Sequence, residues 1–339
     1  MNDDLDFDET AYLTNNQDVR LAVQRGIFAS GREHYVRYGR AEGRKGRPLV
    51  ARAPLDAEAF DEGTYLWLHP DVRAAVAAGQ WASGWEHYQK AGWESGMRIA
   101  GLQQATSHAL RDYTKLVRDL IEQYPHDYPL AMARAVGSLS LAGYHEAGDH
   151  QIAVLKLAGL QNGQAVYDLA CGSGRTAAAL QRHGWTGNYR GADLVKELVD
   201  YARVQCPTFD FFVHRDYSLR APDASLDMVY AWSLFTHLQL EEIYLYAQDA
   251  HRVLKPGGIF AFSVLTLDAA AHRDLLITRA NAFKSGAPMP HLDFFVSRSM
   301  IEILMTDMLG FTLQDWIDAD DPRATGSVGF GQAVAIYRK

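Results

Sequence analysis

Apolar and polar positions follow more than one rhythm along this chain. In the middle, an apolar strand through Val166-Tyr167 runs to the carboxylate of Asp168 and crosses a turn, Leu169-Ala170-Cys171-Gly172-Ser173-Gly174-Arg175. It then opens into the alanine-rich helix Thr176-Ala177-Ala178-Ala179-Leu180. A second apolar-to-acidic strand end follows at Tyr189-Arg190-Gly191-Ala192-Asp193. Near the end of the sequence, residues 311–317 and 332–338 read as two β-rich segments suited to an antiparallel pair. Ahead of the strands the pattern is helical. Val19 with Leu21-Ala22-Val23, and Val72 with Ala74-Ala75-Val76, mark short helices closed by Gly26 and Gly79. A helical bridge then carries Leu110, Leu116, Leu120 and Ile121 on one face up to Tyr124-Pro125. It continues through 128–134, Gly137 and Tyr144 to Gly148-Asp149-His150.

The central turn carries the chemistry. Gly172 and Gly174 lack Cβ atoms, so the turn can take unusual dihedrals and admit a ligand close to the backbone. In a doubly wound sheet, the turn at the carboxyl end of the first strand is where a nucleotide-like ligand sits. The anion-binding form of this turn reads G-x-G-x-x-G, but the third position here is Ala177 and an acid precedes the turn. A carboxylate there suits a ligand with a cationic end better than a pyrophosphate.

Asp168-Leu169-Ala170-Cys171-Gly172-Ser173-Gly174 resembles the first motif, D/E-x-x-x-G-x-G, of the class I S-adenosylmethionine-dependent methyltransferases. Asp193, 25 residues later, matches that family's second acid, which accepts hydrogen bonds from ribose hydroxyls. Residues 211–217 resemble the third strand, whose closing acid, here Asp216, contacts the adenine amine. Residues 226–233 resemble the fourth strand, and Arg252-Val253-Leu254-Lys255-Pro256-Gly257-Gly258 resembles the turn into the fifth. The resemblance covers roughly residues 150–339. It implies an α/β, doubly wound, seven-stranded Rossmann-like sheet and an S-adenosyl-L-methionine cofactor. The cofactor contacts it implies are Asp168, Ala170, Gly172, Gly174, Arg175, Asp193, Leu194, Asp216, Tyr217, Trp232, Ser233 and Tyr144. Lys255-Pro256-Gly257-Gly258 is a turn and receives no ligand role.

Length and composition agree with an ordinary soluble enzyme. A chain of 339 residues, 48% hydrophobic, can bury a full core and carry a second module. The net charge of −8 argues against a nucleic-acid partner, which demands clustered Lys and Arg. The basic stretch from Arg32 to Arg52 is diluted by Glu33 and Glu42 and reads as a solvated face. With only Cys171 and Cys206, no disulfide framework or cysteine-rich zinc site is expected. The acidic start Met1-Asn2-Asp3-Asp4 does not read as a secretory signal, and no stretch approaches a membrane span. A cytoplasmic location is the expectation.

The amino-terminal third holds an internal repeat at a constant offset of 53 residues. Phe7-Asp8-Glu9, Tyr12, Ser30-Gly31, His34-Tyr35 and Gly39 recur as Phe60-Asp61-Glu62, Tyr65, Ser83-Gly84, His87-Tyr88 and Gly92. Two copies of one helical unit, about 7–44 and 60–98, are therefore expected within 1–101, separated by the linker Lys45-Gly46-Arg47-Pro48. A bridge or lid over 102–150 and a catalytic domain over 151–339 follow. The repeat is similar to short helical modules of bacterial glycan-biosynthesis proteins. His34 and His87 recur through duplication, and a His-Tyr pair on a short helix is usually packing. Trp67, Trp81, Trp85 and Trp93 suit either a small aromatic core or a sugar or protein surface. Targeting or association, as a homodimer or with a protein partner, is the expected role.

Methyl transfer from a sulfonium is an in-line displacement, so the enzyme positions the acceptor and removes its proton where needed. His237, in the segment Trp232-Ser233-Leu234-Phe235-Thr236-His237-Leu238 after the fourth strand, is the candidate base or acceptor-orienting residue. Tyr144 and Tyr128 are candidate lid residues, and His150 a candidate substrate contact. His291 and Asp293 lie where acceptor-recognition insertions often sit. No Asn/Asp-Pro-Pro-aromatic motif of amino-group methyltransferases follows the fourth strand, and no metal site of the catechol type is recognised. The reading is O-methylation of a small molecule or a bacterial glycan sugar. A protein or lipid methyltransferase docking through the repeats, and a NAD-dependent oxidoreductase, are the alternatives.

Overall fold

Side chains alternating in and out along the central strands build a sheet buried on both faces. The computed structural model describes residues 7, 9, 12–13, 16–39, 42, 60, 62–92, 108–287, 291–325 and 331–339. The linker Lys45-Gly46-Arg47-Pro48, the acidic start Met1-Asn2-Asp3-Asp4, residues 101–107 and Trp93 lie outside them, as does the side chain of Trp67. Two compact units divide the chain, Met1–Leu55 and Asp56–Lys339, so the second repeat belongs to the larger one.

In the larger unit the strands are β1 (Ala165–Leu169), β2 (Asn188–Asp193), β3 (Asp210–Val213), β4 (Leu226–Ala231), β5 (Leu254–Thr266), β6 (Phe295–Val296), β7 (Thr312–Ile317) and β8 (Ala333–Arg338). Their order is β3-β2-β1-β4-β5-β8-β7, with the two-residue β6 added on β5. β8 runs antiparallel to both its neighbours, and the other pairings are parallel. This is the expected seven-stranded Rossmann-like sheet, with the extra short strand β6.

Period-two alternation assigns each strand residue to one side. On β4, Val229 and Ala231 pack in one core with Phe260 and Phe262 of β5. Met228 and Tyr230 pack in the opposite core with Val166, Ile259 and Ala261. Helices Arg175–Arg182 and Lys196–Gln205 link β1 to β2 and β2 to β3, while Leu240–Val253 links β4 to β5. The bridge comprises helices His108–Gln123, Tyr128–Ala135 and Leu141–Ala158. Val117, Ala131, Met132 and Ala135 pack on Val195 and Leu198, which sets the first two of these helices over the end of β2.

Each repeat closes on the same polar anchors. Glu9 accepts from the backbone of Gly31 and Arg32 at 2.6 and 2.9 Å, and Glu62 accepts from Gly84 and Trp85 at 2.7 and 2.8 Å. Ser30 and Ser83 cap the two helix starts. Tyr12 bonds His34 at 3.0 Å and Tyr65 bonds His87 at 2.8 Å, so the recurrent histidines take part in internal packing. The recurrent glycines follow from close approach: a Cβ on Gly39 would stand 2.2 Å from the Tyr12 hydroxyl, and one on Gly92 would stand 2.2 Å from that of Tyr65. Gly92→Ala is expected to destabilise the protein by about 1–3 kcal/mol through overpacking. Because the Tyr65 ring carbon lies farther off, at 3.3 Å, adding Tyr65→Phe should recover part of the loss in thermal unfolding. A Gly92→Ala protein with unchanged melting would refute this account.

Candidate active site

The carboxyl ends of β1, β2 and β4 open onto a cavity of about 400 Å³, within the usual size of small-molecule sites. Asp168, Ala170, Gly172 and Arg175 supply its wall from the turn after β1, Asp193 and Leu194 from the end of β2, and Trp232, Ser233 and His237 from the segment after β4. These nine expected residues converge although they span 70 positions in sequence.

Asp168 is completely buried at the end of β1. Burial pushes its carboxyl up to about 7, opposed by the Tyr189 hydroxyl and with further upward pressure from Asp193. The Tyr189 hydroxyl donates to it at 2.8 Å. Asp193 is also raised by burial, opposed by the backbone N–H groups of Val195 and Gly172, each 2.9 Å from a carboxylate oxygen. That second bond ties the glycine turn to the end of β2. Gly172 has φ 56°, and a Cβ there would lie 2.7 Å from Val136 of the bridge. Ala170 and Ser233 adopt positive φ without being glycine, at 66° and 55°. Such strain is commonly held at ligand sites. Ser233 is fixed by its N–H on Ser263 Oγ at 2.7 Å and by Gln332, whose amide donates to Ser233 Oγ at 3.0 Å. Arg175 donates to the Val136 carbonyl at 2.9 Å and to Ser138 at 3.2 Å, holding its guanidinium at the wall.

Four of the expected cofactor contacts do not line the cavity. Gly174 lies at the start of the helix after the turn, with φ 84°. The Tyr144 hydroxyl donates to the Ser173 carbonyl at 3.0 Å and supports the turn from behind instead of forming a lid. Asp216 accepts from the Tyr217 N–H at 2.8 Å, and the Tyr217 hydroxyl donates to Glu242 at 2.8 Å. Glu242 is the wall residue, so Tyr217 stands one layer out, and His214 occupies the wall on that strand end. Tyr128 packs edge-on against Tyr201 and, like His150, is not at the wall.

The bridge also contributes, through a face on which the sequence pattern marked Leu116 but not Ala109 or Tyr113. Ala109, Tyr113 and Leu116 line the cavity from helix His108–Gln123. Their i, i+4, i+7 spacing is the signal that could have found them. Tyr113 lies nearly parallel to His291, with centroids 5.9 Å apart, and edge-on to His237 at 5.4 Å. Burial, then Asp293 and Asp193, raise its hydroxyl well above the ordinary value.

His237 and His291 meet because their backbones run side by side. Phe294 N–H donates to the Thr236 carbonyl at 2.7 Å, and His237 Nδ1 donates to the Leu292 carbonyl at 2.7 Å. The imidazole centroids stand 4.7 Å apart. Burial pulls His237 down to about 4, with the Leu292 bond opposing. Asp293 joins the cluster, 3.3 Å from His291 Nε2, 3.8 Å from His237 Nδ1 and 2.5 Å from Arg279 Nε. Burial raises its carboxyl, but His291 and Arg279 outweigh that and hold it below the usual range. No cluster with metal-ligand residues was expected, yet these three side chains place potential ligand atoms within 4.8 Å of one another. The cluster is poorly suited to a cation. Arg279 already neutralises the carboxylate, and the nitrogen of His237 that faces it is committed as a donor to Leu292.

Residues 166–258 match the family model described as a methyltransferase domain. An uncharacterized methyltransferase of Synechocystis sp. is 32% identical over 41% of this chain and 62% of its own length. A malonyl-[acyl-carrier protein] O-methyltransferase of Enterobacter lignolyticus is 26% identical over 51% of this chain and 61% of its own. The chain thus spans about three fifths of the length of these curated relatives. A solved S-adenosylmethionine dependent methyltransferase from Mesorhizobium loti is 17% identical over 56% of this chain and 98% of that one, with a TM-score of 0.43. Among the described residues, no helix is long and apolar enough to cross a membrane. Residues 166–258 therefore carry a methyltransferase domain, a family that implies S-adenosyl-L-methionine as cofactor.

Proposed function

We propose that this chain methylates a hydroxyl of a small molecule, a sugar of a bacterial glycan being one such acceptor, with S-adenosyl-L-methionine as donor. The observation that carries the reading is the polarity of one cavity. A buried carboxylate and a guanidinium stand at the glycine turn, and two imidazoles stand at the other end. The residues fit the cofactor. Asp168 suits its ammonium, Arg175 its carboxylate and Asp193 its ribose hydroxyls. When bound, the cofactor supplies a methyl group on a positively charged sulfur. The chain's own part is to hold the acceptor in line and to handle its proton. His237, neutral at physiological pH, is placed to do one of these. The Enterobacter relative methylates oxygen, by its name, which agrees with this choice. We further propose that the repeats serve association with a second copy or a protein partner.

Calorimetry with S-adenosylhomocysteine and with NAD tests the reading directly. The homocysteine derivative should bind and NAD should not; the reverse would overturn it. An acceptor screen with labelled cofactor then identifies the substrate.

Asp168 makes the binding pH-dependent. In the free protein its carboxyl is raised from 3.8 to about 7, so the folded state favours the proton. That contribution to stability is fully present below the unfolded value and is lost as pH rises through about 7. An ammonium ligand needs the ionised form. Affinity for S-adenosylhomocysteine should therefore rise roughly tenfold per pH unit below 7 and level off above it, with about one proton released per ligand at pH 6. Asp168→Asn should bind at least about tenfold more weakly and lose this slope. A flat wild-type profile would exclude Asp168 as the ammonium partner. Removing residues 1–55 should lower the number of copies per particle measured by light scattering and leave cofactor affinity within a factor of about two; an unchanged copy number, or loss of binding in a folded truncation, would refute the association role.

A further inference from the structure

A third carboxylate, Glu242, joins Asp168 and Asp193 on the cavity wall, and it comes from a helix instead of a strand end. It stands on the first turn of Leu240–Val253, beside Leu238 and Tyr246, with His214 at the end of β3 also on the wall. Its two oxygens are held from different elements. The Tyr217 hydroxyl donates to Oε1 at 2.8 Å, and the Gln239 N–H donates to Oε2 at 2.8 Å. Neither donor carries a charge, so the carboxylate keeps its own, and each oxygen keeps a lone pair. Leu194 and Leu198, from the end of β2 and the helix that follows, add apolar wall for a flat ring. The Asp193 carbonyl accepts from His214 N–H at 2.9 Å, which joins the ends of β2 and β3. Asp216, the acid expected at the adenine amine, is off the wall and accepts from the Tyr217 N–H at 2.8 Å. Tyr217 thus gives its N–H to one acid and its hydroxyl to the other.

Resting on the methyl-transfer reading, we propose that Glu242, in place of Asp216, accepts a hydrogen bond from the adenine amine of the cofactor and so determines which base the site takes. β3 lies next to β2 on the side away from β1. A base that follows its ribose from Asp193 away from the glycine turn therefore comes to this corner. The acid that reads the base has moved from the strand end to the helix after β4, with Tyr217 as the link between the two positions. A carboxylate can only accept, so it pairs with a 6-amino group and opposes a 6-oxo group. Hypoxanthine, which carries oxygen at that position, sets two acceptors against each other and leaves both short of a donor. A carboxamide at position 242 offers a donor as well as an acceptor and pairs with either base.

Calorimetry on the full-length protein with S-adenosylhomocysteine and S-inosylhomocysteine, which differ at the 6 position of the base, tests the assignment. The wild type should bind the adenosyl compound at least about tenfold more tightly, as one charge-assisted hydrogen bond warrants. Glu242→Gln should bring the two affinities within about threefold of each other, chiefly by gaining the inosyl compound. Glu242→Leu should lose at least about tenfold toward the adenosyl compound. Asp216→Asn should leave the preference in place. Thermal unfolding checks that each variant folds, and the glutamine variant, which keeps an acceptor for the Gln239 N–H, decides the matter if the leucine variant does not. A Glu242 that only supports the helix start and Tyr217 would weaken both compounds alike on substitution and gain neither. That outcome, equal binding of the two compounds by the wild type, or a preference lost in Asp216→Asn and kept in Glu242→Gln would overturn the assignment. A wild type that binds neither compound would instead remove the methyl-transfer reading, and this assignment with it.

Discussion

The architecture of the site follows from one costly placement, a carboxylate fully buried at the end of β1. A group so desolvated resists ionisation, and the Tyr189 hydroxyl only partly offsets the cost. Everything around Asp168 helps to fix it there. Tyr189 comes from β2, so the carboxylate depends on the register of that neighbouring strand. The turn that follows is pinned to β2 through Asp193. The sheet therefore fixes the turn, and the turn fixes the near wall of the cavity.

The far wall is built by different means. β5 leads into helix Ala270–Lys284, and the chain then returns along residues 291–294. Two backbone bonds lay that return segment against residues 236–237. Arg279, reaching from the helix, clamps Asp293. The far wall is thus an assembly of loop and helix, whereas the near wall is an assembly of strand ends. This division matches the chemistry: one ligand is constant across a family and the other varies.

The same division explains what could be read from sequence. Asp168 to Arg175 is legible because the strand, turn and helix are contiguous and the glycines are needed locally. Asp193 was legible as the next strand end. His237 was legible by its place after β4. Tyr113 was hidden because only tertiary packing reveals that its helix face meets the cavity, although Leu116 and Leu120 mark that face as apolar. Tyr144 and Tyr217 were expected at the wall from their neighbourhood in sequence. Each instead spends its hydroxyl on a supporting contact, Ser173 or Glu242. The carboxylate behind His291 was visible as Asp293, but its clamp by Arg279 needs the helix to fold back, which no spacing announces.

The duplicated amino-terminal unit carries a consequence of another kind. Each copy satisfies its own glutamate, serine and histidine anchors internally, so its shape is set without reference to its outer surface. The exteriors of the two copies differ. Leu21, Ile27, Val36 and Tyr38 stand exposed in the first copy where the second has Ala74, Gln80, Gln89 and Ala91. One inherited scaffold thus presents two unlike skins, and a gene can retune either one without reopening the problem of how the unit folds.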